Sequence, residues 1–320
     1  MKITKKFITL FKGIDLSTRQ LPVIIADSEV PGPTIGLTAA IHGDEVTGTA
    51  VILSLFKKFE DFPLIKGKIF ALPILNPTGF ETISRSEVYA GEDLNRGFNN
   101  DNHGSTAEIL ANSIINAILD FQPDYVIDLH TDSMNSIAYI LVDKPSELKD
   151  KKIFYASLKL AEDLGFIKSQ DTEETAGYPP EKCLTGQLIK KGIPAVTIEL
   201  GGPLIVSEPF RKQGFTAIWN FLYENKLVSK RFKNRDNRKN KDLYQCYPHL
   251  TVNSTGIIDY RVQAGEHVLK GALLAKIRNV FGEVIEKIYS PETGIILSHE
   301  DKSVVFPGQS VFTLAVKIDN

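Results

Sequence analysis

Residues 34–59 read TIGLTAAIHGDEVTGTAVILSLFKKF. The opening TIGLTAAI is apolar, small or β-branched throughout, as in a buried strand, and the stretch from Glu45 to Phe59 repeats its apolar residues at helical spacing. Between the two lie His42 and Glu45, three positions apart. A strand feeding a helix through a polar turn is the unit of an α/β sheet. In such sheets, ligand sites gather outside the carboxyl ends of the strands. The turn therefore poses a choice. Either the imidazole and the carboxylate converge on a metal, or Glu45 merely complements the dipole of the helix that follows.

The same grammar extends on both sides. PVIIAD, GKIFALPIL, DYVIDLH, IAYILVD and PAVTIELG read as further strands of the buried type, and STAEILANSIINAILDF and SELKDKKIFYASLKLAEDLG as helices. Ser105 with Glu108 three residues later forms a capping box at the start of the first of these. The expected fold class is α/β, with a mixed central sheet flanked by helices over residues 1–225. After a basic stretch at 226–243 the pattern changes. Residues 244–320 carry short strands punctuated by Gly256, Gly265, Gly271, Gly282, Gly294 and Gly308. GIIDYRVQAGEHVLKGALLAKI is echoed by GIILSHEDKSVVFPGQSVFTLA, an internal repeat suited to a small all-β barrel-sandwich. That repeat resembles the biotinyl/lipoyl-type domain. Carrier versions place a lysine on the hairpin between the halves, but here the hairpin reads RNVFGEV. EDKS at 300–303 lies in the second half, so a carrier role is not expected.

Composition narrows the function classes. A chain of 320 residues buries roughly 75% of its unfolded surface. Hydrophobic content of 42% and charged content of 24% are those of an ordinary globular protein. A formal charge of −2 argues against nucleic acid as a partner. The basic run KLVSKRFKNRDNRKNKD lacks the interleaved aromatics of a single-strand platform and reads as a solvated linker. Cys183 and Cys246 are too few and too far apart for a disulfide framework or a thiolate metal site. FITLF near the N-terminus is too short for a signal-peptide core, and no apolar run is long enough to span a membrane. The expected compartment is the cytoplasm. Nothing in the composition marks an oligomer interface, and a homo-oligomer is compatible with it.

A catalytic zinc site usually takes three protein ligands and keeps one position open. The α/β half offers only His42, His103 and His130 as histidines. His103 sits in a polar loop, NNDNHGST, and is read as surface. His130 ends DYVIDLH, the same topological position that His42 occupies after its strand. Asp128, two residues earlier, either orients the ligand set or is simply solvated at the strand end. Hydrolysis also needs a base, and Glu199 closes PAVTIELGG, where a carboxylate is costly unless paired or used. Arginine is scarce. Arg85 and Arg96 are candidates for binding a carboxylate or an oxyanion, and each also reads as an ordinary surface arginine.

HGDE, NPTGF, a following arginine, DLNRGF, DLHTD and IELGG occur in one order. Together they resemble the succinylglutamate desuccinylase/aspartoacylase family, within the zinc-carboxypeptidase group, over roughly residues 20–225. The resemblance implies one zinc per chain on His42, Glu45 and His130. It implies Glu199 as general base and proton donor, and Arg85 as the group that polarises the scissile carbonyl. Asn95 and Arg96 would grip a substrate carboxylate, with Asp93 positioning them. Aspartoacylases proper use a further arginine before the catalytic glutamate, but residues 141–198 contain none. The loop DTEETAGYPPEKCLTGQL offers Tyr178, Lys182 and Gln187 instead, with Tyr178 the candidate for substrate binding. The implied activity is removal of an acyl group from a small N-acyl amino acid whose side chain is neutral or cationic. A zinc carboxypeptidase acting on small peptides is the alternative. A protein that kept the zinc site but lost the chemistry is a third reading, disfavoured because His42, Glu45, His130 and Glu199 are all present.

Overall fold

The computed structural model describes residues 1–13, 16–98, 104–146, 148, 150–232, 241–248 and 250–318; His103 lies outside them. The N-terminus forms an antiparallel hairpin, β1 (Lys2–Lys12) with β2 (Thr18–Asp27). Then follow β3 (Thr34–Ala39), α1 (Thr47–Asp61), β4 (Lys68–Leu72), α2 (Pro77–Thr82) and α3 (Thr106–Leu119). The next elements are β5 (Tyr125–His130), β6 (Asn135–Ser136), β7 (Tyr139–Asp143), α4 (Lys151–Leu164) and β8 (Ile167–Asp171). The helical half closes with α5 (Glu173–Ala176), α6 (Leu184–Lys190), β9 (Ala195–Glu199) and α7 (Glu208–Glu224).

The central strands run β1-β2-β4-β3-β5-β9-β7-β8 across one mixed sheet. β4, β3, β5 and β9 are mutually parallel, and β7 pairs antiparallel with β9 but parallel with β8. All six strands expected from apolar runs are present. β3, β4, β5, β7 and β9 are buried on both faces and read as continuous apolar runs, while β2 is only partly buried. One layer packs α1, α4 and α7 on the sheet around Val51, Leu55, Phe59, Leu160 and the fully buried Trp219. The opposite layer packs α3 and α6 around Phe70, Leu110, Ile114 and Leu188. Ser105 caps α3 through the Glu108 amide, and the reciprocal bond completes the expected capping box.

The C-terminal strands are β10 (Leu243–Cys246), β11 (Leu250–Thr251), β12 (Gly256–Tyr260), β13 (His267–Val268), β14 (Leu273–Arg278), β15 (Val284–Tyr289), β16 (Gly294–His299), β17 (Val304–Val305) and β18 (Ser310–Lys317). β15-β14-β12-β17 form their own antiparallel sheet, while β10-β18-β16-β13 continue the central sheet past β8. The join is parallel, with Tyr244 opposite Ser169. Tyr139, Tyr244, Ile295, Leu297 and Ala315 make a small core across it. In the first part of the basic stretch Lys226, Lys230 and Arg231 are exposed, as its composition suggested, but the segment is anchored to the helical half. Leu227 and Val228 are buried, and the Lys230 carbonyl accepts the Trp219 indole N–H at 2.7 Å. Residues 233–240 of that stretch lie outside the described residues. No helix among the described residues is long and apolar enough to cross a membrane.

Candidate active site

β3 ends at Ala39, and the chain turns through Ala40, whose φ of 52° lies in the left-handed region. The turn is held from outside, as the Leu75 and Asn76 amides donate to the Ala39 and Ala40 carbonyls at 3.0 Å each. His42 follows on this braced loop. Gly43 lies so close to α2 that a Cβ there would sit 1.9 Å from the Gly79 carbonyl carbon. HGDE and NPTGF are therefore two faces of one backbone contact. Asn76 caps α2 by accepting the Gly79 amide at 2.9 Å.

The opening question resolves against the helix cap. α1 begins at Thr47 with no side-chain cap bond and no acid in its first turn. Glu45 instead turns to the histidines. Its Oε1 lies 2.6 Å from His42 Nδ1, and its Oε2 lies 3.0 Å from both His130 Nδ1 and the Thr131 amide nitrogen. The two rings meet edge to face with centroids 5.1 Å apart. Each ring's other nitrogen meets a carboxylate: His42 Nε2 is 3.0 Å from Asp93 Oδ1, and His130 Nε2 is 2.8 Å from Asp128 Oδ2. Asp128 is fully buried and accepts the Thr38 hydroxyl at 2.6 Å, so it orients the ring rather than sitting solvated.

One ligand atom from each of His42, Glu45 and His130 can be chosen so that all lie within 4.8 Å of one another. Two imidazole nitrogens and a carboxylate, buried and with the outer ring nitrogens already held, form a donor set that suits zinc. Burial opposes ionisation of Glu45, but the two imidazoles outweigh it and hold the carboxyl well below its ordinary range. Burial likewise disfavours protonation of His130, yet Asp128 and Glu45 raise its proton affinity well above that of free imidazole.

His42, Glu45 and His130 line a cavity of about 170 Å3 that also reaches Arg85, Asn95, Arg96, Tyr178 and Glu199. The eight residues expected from the sequence to bind metal, catalyse or contact substrate thus border one space, while Asp93 and Asp128 stand behind the histidines. Glu199 ends β9 directly opposite His130, is 8% exposed, and has an Oε2 without a hydrogen-bond partner. Burial, reinforced by Glu45 and Asp132, pushes its carboxyl up to about 8 against the pull of His130. Arg85 is half exposed, with Nη1 3.4 Å from Glu45 Oε1 and Nη2 3.0 Å from Asp93 Oδ2. Asp93 also accepts the Asn95 amide at 2.9 Å. Asn95 Oδ1 accepts the Leu184 amide at 2.9 Å. The Arg96 guanidinium carbon lies over the Tyr178 ring, 3.8 Å from its centroid. Of the three loop residues considered in place of the missing arginine, only Tyr178 borders the cavity; Lys182 and Gln187 do not.

Sequence reasoning missed three further acids. Asp132, Asp143 and Asp171 all border the cavity, as do Thr185 and Thr197, which link Asp143 to β9. Asp143 and Asp171 are register partners at the ends of parallel β7 and β8. Asp143 closes the recognised run IAYILVD, so its strand-end position was an available signal, whereas Asp171 ends IKSQD, which lacks the apolar run by which the other strands are recognised.

A sequence profile for the succinylglutamate desuccinylase/aspartoacylase catalytic domain matches residues 31–222. The chain is 22% identical over 303 residues to the N-alpha-acetyl-L-2,4-diaminobutyric acid deacetylase of Halomonas elongata, covering 90% of this chain and 84% of that protein. Its fold matches the product-bound ectoine utilization protein EutE of Ruegeria pomeroyi with a TM-score of 0.82 at 19% identity, covering 98% of this chain and 95% of the other. It matches a succinylglutamate desuccinylase/aspartoacylase of Rhodobacter sphaeroides equally, with a TM-score of 0.82 at 20% identity and coverage of 99% and 96%. The profile spans more than half of the sequence, and the chain belongs to the succinylglutamate desuccinylase/aspartoacylase family.

Proposed function

We propose that the protein is a zinc-dependent hydrolase that cleaves the amide bond of a small N-acyl amino acid. The observation that carries this reading is the convergence of both histidine Nδ1 atoms on Glu45, with the buried, half-unpartnered carboxyl of Glu199 bordering the same cavity. His42, Glu45 and His130 would hold one zinc per chain. Zinc in that seat supplies Lewis acidity, polarising an oxygen and lowering the pKa of water.

The remaining steps belong to the chain. Glu199 takes a proton from the attacking water and returns it to the leaving amine; a carboxyl raised towards neutrality suits both transfers. Arg85 reaches over the Glu45 edge and steadies charge growing on the scissile carbonyl oxygen. Asn95 commits its carbonyl oxygen to Leu184, which leaves its Nδ2 donors for a substrate carboxylate beside Arg96. Tyr178 holds the guanidinium plane through its ring.

A cavity of about 170 Å3 is smaller than the ~300–1,000 Å3 typical of drug-sized ligands, and favours a small N-acyl amino acid over a peptide. The lack of arginine between 141 and 198 disfavours a dicarboxylic amino acid. Similarity to a deacetylase of N-alpha-acetyl-L-2,4-diaminobutyric acid supports deacylation of a non-acidic substrate. The test is turnover of N-acetyl and N-succinyl amino acids and short peptides, with and without chelator. Chelator-sensitive release of a free amino acid is expected. Turnover of peptides alone would overturn the reading in favour of a carboxypeptidase. N-acetylaspartate outpacing neutral and basic substrates would overturn the substrate preference.

A further inference from the structure

Opposite the zinc-ligand candidates, the cavity is closed by the ends of β7 and β8. Parallel pairing sets Asp143 directly beside Asp171, so both carboxyls emerge at one place on the sheet end. Asp143 is 6% exposed and Asp171 8% exposed, and both line the cavity. Thr185 and the Gly186 amide donate to Asp143, and Thr175 donates to Asp171 at 2.9 Å. Thr185 is tied in turn to Thr197 on β9 at 3.0 Å, two residues before Glu199. Among the described residues, neither acid forms an ion pair.

The nearest cation bordering the pair is Arg96, and its guanidinium is engaged elsewhere. Its Nη1 donates to the Asn95 carbonyl at 2.9 Å and to Cys183 Sγ at 3.3 Å, and its face lies on Tyr178. Arg96 attracts both acids through space but forms an ion pair with neither, and two adjacent buried carboxyls remain costly unless something neutralises them more fully. Burial, aided by the neighbouring Asp171, already lifts Asp143 to about 7 against the Thr185 bond. Among the described residues bordering the same cavity, Glu199 Oε2 and Thr131 Oγ1 are buried without a hydrogen-bond partner, and the Glu199 side chain is more than nine-tenths buried. The space lined by these groups suits a ligand with a positive end for the acid pair and an acyl amide for Glu199.

We propose that Asp143 and Asp171 form an ammonium-recognition subsite, so that the substrate is an N-acyl amino acid with a positively charged amino group on its side chain. This rests on the hydrolase reading and sharpens it. Arg96 and Asn95 take the α-carboxylate, the acid pair takes the side-chain ammonium, and a dicarboxylic substrate is repelled by like charge.

The experiment pairs binding with turnover. Calorimetry on the zinc-loaded protein uses free L-2-aminobutyrate, L-2,4-diaminobutyrate, L-ornithine, L-lysine and L-aspartate, and hydrolysis uses their N-acetyl derivatives. At least one diamino acid is expected to bind about tenfold or more tighter than L-2-aminobutyrate, with L-aspartate weakest, as charged hydrogen bonds imply. Asp143→Asn and Asp171→Asn should each cut that ratio about tenfold, with zinc content and circular dichroism unchanged. If either variant fails to fold, the wild-type ladder decides alone. Equal or stronger binding of L-2-aminobutyrate or L-aspartate, or no binding of any of the five, overturns the subsite. Diamino binding without hydrolysis of any N-acetyl derivative would keep the subsite and remove the hydrolase reading. Hydrolysis that ignores side-chain charge would do the reverse.

Discussion

His130 and Glu199 are register partners at the last positions of adjacent parallel strands, so a single backbone pairing sets one metal-ligand candidate beside the candidate base. Glu199 is not needed to hold the metal in this arrangement. Glu199→Gln keeps the shape and removes the proton acceptor. It should lower kcat by about 10²–10⁴-fold, the range for losing general acid–base catalysis. Zinc content by atomic absorption should stay near one per chain. Activity within threefold of wild type would remove the role given to Glu199.

Asp128 acts one layer further out, holding His130 Nε2 at 2.8 Å while itself held by Thr38. Asp128→Asn should weaken zinc about 10–100-fold, as removal of such outer partners does. Competition against a fluorescent chelator measures this. Activity should recover largely at saturating zinc, unlike that of Glu199→Gln.

The raised carboxyl of Asp143 makes stability depend on pH. Its folded pKa of about 7 lies above the ordinary 3.8, with burial the largest cause. In the unfolded chain the group ionises first, so its contribution is fully present at acid pH and is lost as pH rises through about 7. Asp143→Asn cannot titrate. Urea midpoints of chelator-treated wild type should therefore fall more between pH 5 and pH 8 than those of the variant. Parallel profiles would show that Asp143 ionises normally.

Asp301 reaches from the loop after β16 to the loop that follows His130, accepting the Met134 amide at 3.0 Å and the Asn135 side chain at 3.1 Å. Being exposed, these bonds contribute only about 1 kcal/mol to stability. Asp301→Ala should nevertheless lower kcat/KM several-fold by loosening the segment that carries Thr131 and Asp132, with thermal midpoint and zinc content close to wild type. Steady-state kinetics on the best substrate of the panel makes the comparison.

Gly43 has no room for a side chain against Gly79. Gly43→Ala should destabilise by about 1–3 kcal/mol through overpacking, measured by denaturant titration, and should displace His42 enough to weaken zinc binding.

Much of this was legible in order along the chain. The strands β3, β5 and β9 announce themselves because burial on both faces demands unbroken apolar runs. His42 just past β3, and His130 and Glu199 at the last positions of β5 and β9, stand out as polar groups at the ends of such runs. β8 was not legible, because IKSQD is buried yet polar. Lys168, Ser169 and Gln170 are accommodated there by neighbours from β10, such as the Gln170–Gln245 side-chain bond at 3.2 Å, and no local pattern anticipates a partner that distant in sequence. Asp143 and Asp171 were missed for the same reason. Their meaning comes from sitting side by side, which is a property of the sheet rather than of either segment. The hairpin of β1 and β2 escaped because β1 is mostly solvent-facing and lysine-rich.

The parallel seam between β8 and β10 bears on how the two halves can be separated. A chain ending near residue 225 would leave the hydrogen-bonding edge of β8 bare along Lys168, Ser169 and Gln170, together with the apolar patch of Tyr139, now without Tyr244 and Leu297. Open edges of this kind recruit strands from other molecules. The helical half therefore behaves as an incomplete sheet that the last 80 or so residues finish. Exchanging them for an unrelated barrel would keep His42, Glu45 and His130 in the chain and still yield a protein prone to self-association.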